Sequence, residues 1–147
     1  MKVASALFIV LGIVLGIASF GSALAEGEHN TPTAPAEFLE MTNPYDVDDV
    51  DEDFLNSAKK VYKRKCKKCH GTDGDGKGSS ADDMEIKPTA FNEPGYLESR
   101  KDGQLYWISL EGSEGTDMEA FGPGTDVNLS EEELWQVITY IRSSFTN

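Results

Sequence analysis

Cys66-Lys67-Lys68-Cys69-His70 decides the fold of this chain. Two thiols three residues apart can form thioethers with the two vinyl groups along one edge of a porphyrin. The next residue, His70, then falls under the ring and can offer an imidazole nitrogen to the iron. C-x-x-C-H is in this way the attachment signature of a c-type haem. The sequence holds 2 cysteines, so a single haem uses both. Other uses of the same residues fit less well. A redox disulfide wants a preceding strand in a βαβ context, whereas residues 54–65 have helical spacing and almost no β-branched side chains. A zinc site wants four ligands, and the second histidine, His29, lies far upstream in a polar, proline-containing stretch. A structural disulfide across a two-residue gap closes almost no loop and stabilises little.

The amino terminus points to export. An apolar stretch over residues 3–20 ends in Ser22-Ala23-Leu24-Ala25, an A-x-A-type cleavage site, followed by Glu26. Residues 1–25 read as a secretory signal peptide. The alternative is an uncleaved anchor, because an apolar run of about 18 residues just suffices to span a bilayer. Cleavage places the protein in the periplasm. Retention holds it on the cytoplasmic membrane facing the periplasm, and a membrane is a partner only in that case. Either agrees with a haem attached outside the cytoplasmic membrane.

Across 147 residues the net charge is −13, and loss of Lys2 with the leader makes the remainder one unit more negative. Nucleic acid is excluded as a partner on that balance. High charge favours solubility and steered encounters. Residues 26–52 read as an acidic linker. Pro32, Pro35 and Pro44 interrupt it, and residues 46–53 contain six acids in eight positions. Such a stretch buries too little apolar surface to fold alone. As a flexible coil it has an r.m.s. reach of roughly 30 Å. The compact domain spans residues 53–147, with its ordered part starting near Asp51 or Asp53.

Within the domain Phe54, Leu55, Ala58, Val61 and Tyr62 fall on one helical face. Acids at the start of that helix and lysines at its end suit the helix dipole. Residues 71–80 are a glycine-rich loop. They match G-x-x-x-x-G-K by chance, but Gly78 stands where a hydroxyl residue is needed. They also begin like a calcium loop, with Lys77 at the fifth position and Met84 in place of the bidentate glutamate. The glycines instead suit tight turning beside a flat cofactor. A second helix runs from Lys101 or Asp102 to Leu110, with Leu105, Ile108 and Tyr106 facing inwards and Gly112 as its stop. The last helix opens with Ser130 as N-cap and Glu133 completing a capping box, and carries the stripe Leu134, Val137, Ile138, Ile141. With no strand pattern in the domain, the fold class is all-α.

Over residues 54–145 these features together resemble the small bacterial class I monohaem c-type cytochromes. The carriers of the resemblance are Ala58, Val61 and Tyr62 leading into Cys66-x-x-Cys69-His70-Gly71, then Asp102-Gly103-x-Leu105-Tyr106-Trp107-Ile108, then Leu129-Ser130 with Trp135, Tyr140, Ile141 and Arg142. The resemblance implies the cytochrome c fold, three to four helices wrapped around one covalently bound haem c. It makes Cys66 and Cys69 the thioether residues, and His70 an axial iron ligand. It implies a crossing of first and last helices, with Ala58 and Tyr140 as candidates for the small–aromatic pair. It also implies a second axial ligand from a methionine in the loop before the last helix, where Met118 stands; the proline that often follows that methionine is Glu119 here. Met84 follows His70 too closely to round the ring edge, while Met41 and His29 belong to the linker. Pro88 is a candidate to hold the other nitrogen of His70 through its carbonyl, or else a simple turn proline. Phe91, Tyr96 and Trp107 are candidate ring-packing residues.

With both axial positions filled, the implied function is one-electron transfer between periplasmic or membrane-bound redox partners, not catalysis at an open iron. The alternative is a dedicated haem subunit of a larger oxidoreductase complex. Lys59, Lys60, Lys63, Arg64, Lys65, Lys67 and Lys68 place seven positive charges in ten residues of an otherwise acidic chain. They form either a docking patch for an acidic redox partner or a solvated face that complements the helix dipole.

Overall fold

The computed structural model describes residues 31–146; the leader expected over residues 1–25 and His29 lie outside them. Five α-helices carry the fold: α1 (Ala36–Leu39), α2 (Glu52–Lys65), α3 (Lys67–His70), α4 (Asp102–Glu111) and α5 (Glu131–Phe145), with one 3-10 turn at Ala81–Asp83. No strand occurs among the described residues, and none of their helices is long and apolar enough to cross a membrane. The all-α expectation holds, with the short α1 and α3 added to the three longer helices.

Helix α2 starts where its sequence says it should. The Asp51 side chain accepts a hydrogen bond from the Phe54 N–H at 2.8 Å, satisfying one orphan donor of the first turn. Ala58, Val61 and Tyr62 are buried and Phe54 and Leu55 half-buried, the expected face. This face packs on α5, the most extensive helix–helix contact in the molecule. The Tyr140 ring meets Tyr62, with centroids 5.3 Å apart, one turn beyond the fully buried Ala58. Helix α5 opens on the expected capping box, Ser130 and Glu133 exchanging hydrogen bonds of 3.1 Å each. Its stripe of Leu134, Val137, Ile138 and Ile141 is buried. At its other end Arg142 donates to Asp102 at 2.8 Å and to the carbonyls of Leu97 and Arg100, tying α5 to the start of α4.

The stretch expected as linker behaves differently over residues 32–45. It lies as a strap across α4 and α5. The Gln104 side chain grips it at two points: it accepts from the Ala34 N–H at 2.8 Å and donates to the Pro32 carbonyl at 3.0 Å. Phe38 stacks on Tyr106, which stacks on Trp135 with centroids 4.2 Å apart. Asn43 donates to the buried Thr139 hydroxyl at 3.0 Å. Gly103 is required beneath the strap, since a Cβ there would run into the Phe38 carbonyl. The strap explains a departure in α4. Gly103, Gln104 and Tyr106 are its buried residues, while Leu105 and Ile108, expected inside, are half-exposed. The acidic run also has local work: Asp46 and Asp51 cap a turn and α2, and no ion pair joins residues 46–53 to the lysines of α2 among the described residues.

Candidate haem site

Cys66 ends α2, and α3 carries Lys67, Lys68, Cys69 and His70 in a single turn. Both cysteines are free thiols, each half-buried. Burial and the neighbouring Cys69 push the Cys66 thiol up to about 12. Burial also raises Cys69, with Lys68 opposing and the carboxylates of Asp117 and Glu119 adding to the rise. Those two acids flank Met118, so the loop before α5 comes within electrostatic reach of Cys69.

The glycine loop closes the end of the motif. Gly71, Gly76, Gly78 and Ser80 donate to the carbonyls of Lys67, His70, Cys69 and Lys68 at 2.9–3.0 Å, satisfying the last turn of α3. Gly74 accepts from the N–H groups of Phe91 and Asn92 at 2.6 and 3.2 Å, and a Cβ at Gly74 would lie 2.7 Å from the Phe145 ring. Its φ of +67° is a second reason for glycine. This pinning brings residues 88–92 against His70. His70 Nδ1 lies 3.0 Å from the Thr89 carbonyl, and the Phe91 ring stacks on the imidazole at 4.4 Å. The carbonyl comes from Thr89 rather than Pro88, the candidate in the sequence. A carbonyl only accepts, so Nδ1 carries the proton and Nε2 is the nitrogen left with a lone pair. Burial lowers the His70 pKa, against the Thr89 hydrogen bond, so the ring is neutral, the form a metal requires.

Met118 sits half-buried in a loop that is closed on itself. Its carbonyl accepts from Ser113 at 2.9 Å and its N–H donates to the Thr116 hydroxyl at 3.1 Å. Gly112, at φ +80°, lets the chain approach, since a Cβ would be 2.6 Å from the Met118 carbonyl. Met84 is also half-buried, and Met41 is exposed on the strap. Among the described residues no three His, Cys, Asp or Glu side chains gather as a metal site, so the cysteines have no zinc-type donor set there. Two unpaired thiols followed by a neutral, pre-oriented imidazole fit a covalently attached haem, and half-exposed Leu105, Ile108, Phe121 and Val127 are apolar surface a flat cofactor can cover.

The family model for cytochrome c matches residues 55–145. The chain belongs to the cytochrome c family. This family carries haem c bound covalently, and Cys66 and Cys69 of this cytochrome stand in its C-x-x-C-H motif. Among solved structures, a chain of the Kuenenia stuttgartiensis reducing HAO-like protein complex Kustc0457/Kustc0458 is similar, with 28% identity and a TM-score of 0.54 over 70% of the present chain. The present cytochrome spans about half (50%) of that chain's length. No curated protein matches. The strap lies outside the family match. Sequence reasoning missed Thr89, because any residue type can supply a backbone carbonyl. It also missed Gln104 as the strap's anchor, although a glutamine on the apolar face of a short helix is a visible signal.

Proposed function

We propose that this cytochrome is a class I, single-haem carrier of one electron, with His70 and Met118 as axial ligands and no catalytic site. Bound haem c supplies a reversible one-electron couple. The observation that carries the reading is the His70 hydrogen bond to Thr89 directly after two free thiols: it fixes the tautomer and the ring orientation and leaves Nε2 for the iron. The place of Met118, half-buried in the loop between α4 and α5, supports the second ligand. A thioether and an imidazole raise the potential compared with two nitrogen ligands and leave no position for substrate.

The test is an optical spectrum of both redox states, for wild type and Met118→Ala. Covalent haem, an iron–sulfur band lost in the variant, and carbon monoxide binding by the ferrous variant alone are expected. Ready carbon monoxide binding by the ferrous wild type would overturn methionine ligation. We further propose that the protein acts in the periplasm after removal of residues 1–25. Amino-terminal sequencing of the native protein then begins at Glu26; a start at Met1 means a membrane anchor.

A second reading, a dedicated haem subunit, is favoured by the similar chain's membership of a named complex. Gel filtration of native extract separates the two, because a free carrier elutes near its own mass.

A further inference from the structure

Helix α4 is held on one side and open on the other. Gly103, Gln104 and Tyr106 are its buried residues, and the strap over residues 32–45 lies on them. The mean direction of half-exposed Leu105 and Ile108 is the opposite one. The strap's grip is uneven. Lys101 and Glu40 pair at 3.4 Å, but both side chains are exposed and such a pair holds little. The buried Gln104 instead bonds the strap at Ala34 and Pro32, at 2.8 and 3.0 Å. Phe38 adds a ring stacked on Tyr106, and Asn43 ties the far end of the strap to Thr139 of α5.

The last turn of α4 carries the Met118 loop. The Ser109 and Leu110 carbonyls accept from the N–H groups of Phe121 and Gly122 at 3.1 and 3.2 Å. Ser113, one residue past the C-cap Gly112, donates to the Met118 carbonyl at 2.9 Å. Gln104 and Leu110 stand six residues apart, about 9 Å along a helix. Over that length a helix moves as one body, so a displacement at the Gln104 turn reaches the loop that holds Met118. The strap lies outside the family match over residues 55–145, so this restraint is an addition to the cytochrome domain.

We infer that Gln104 is a positioning residue for the Met118 ligand: by holding the strap against α4 it seats the last turn of that helix, and with it the Met118 thioether. The inference rests on the His70/Met118 carrier reading and adds to it what sets the firmness of the second axial bond. Such a coupling runs both ways. Release of the strap weakens methionine ligation, and displacement of the methionine loosens the strap.

The test titrates imidazole, a neutral nitrogen ligand, into the ferric, haem-loaded protein and reads the loss of the iron–sulfur band. A nitrogen–iron bond forms as the Met118 sulfur leaves the iron, which stays ferric, and no proton moves. Gln104→Leu and Phe38→Ala, the second of which leaves α4 itself intact, are each expected to bind imidazole about tenfold more tightly than wild type. Asp51→Ala, which removes the N-cap bond of α2, is expected to lower the melting temperature and keep the wild-type imidazole affinity. In wild type, saturating imidazole is expected to speed hydrogen exchange of the Ala34 amide by a similar factor, a readout that needs no variant to fold. Unchanged imidazole affinity in both strap variants overturns the inference, as the strap then serves stability alone. An equal rise in Asp51→Ala overturns it in favour of general loosening. Ala34 exchange indifferent to imidazole overturns it too. These results leave the carrier reading standing, since that fails only if the wild-type spectrum lacks the iron–sulfur band.

Discussion

Tyr62 holds several of the molecule's connections at once. Its ring packs on Tyr140 and Phe145, and its hydroxyl reaches the carbonyl that follows His70. Tyr62→Phe removes that hydrogen bond and leaves a buried carbonyl unsatisfied, at a cost of about 1–3 kcal/mol, measurable as a shift in the urea midpoint of the haem-loaded protein. Burial raises the Tyr62 pKa well above its ordinary 10.0. The unfolded chain ionises this phenol near 10 while the folded chain keeps it protonated. Its contribution is therefore fully present below pH 10 and lost as pH rises further. Urea midpoints at pH 8 and pH 11 should diverge in wild type and diverge less in Tyr62→Phe.

The longer helices were legible because their signals are local. Capping residues, charge at the termini and the 3.6-residue apolar period belong to each segment alone, and α2 and α5 appear with the expected caps and faces. What stayed hidden depends on residues distant in sequence. The strap meets Gln104 and Thr139 across separations of 70 and 96 residues. No window of the strap itself is apolar enough to announce burial. The orientation of His70 hid for the same reason, being set by a main-chain oxygen 19 residues on. Gln104→Leu should lower stability by about 1–3 kcal/mol, because it removes one partner each from the Ala34 N–H and the Pro32 carbonyl. Thermal melting of the haem-loaded protein reads this; an unchanged midpoint would mean the strap is bound only weakly. Arg142→Ala removes an ion pair that is partly shielded from water, with side chains 16% and 28% exposed, together with two hydrogen bonds to carbonyls. A loss of about 2–3 kcal/mol is expected in the same measurement.

For the molecule as a whole, haem is a large share of the interior. A domain of this size buries a modest fraction of its surface, and several apolar side chains of α4 and the following loop are only half-covered by protein. The haem-free chain is therefore expected to be largely unfolded, with weak helical circular dichroism and no cooperative melt. The strap adds a matter of timing. A chain made from its amino end produces residues 32–45 before any of their binding sites. Gln104, Tyr106 and Thr139 all follow the Cys66–His70 motif, as do the residues that cover His70. The two thiols thus emerge before their shell exists, and the strap, made earlier still, has to wait for α4 and α5 before it can close.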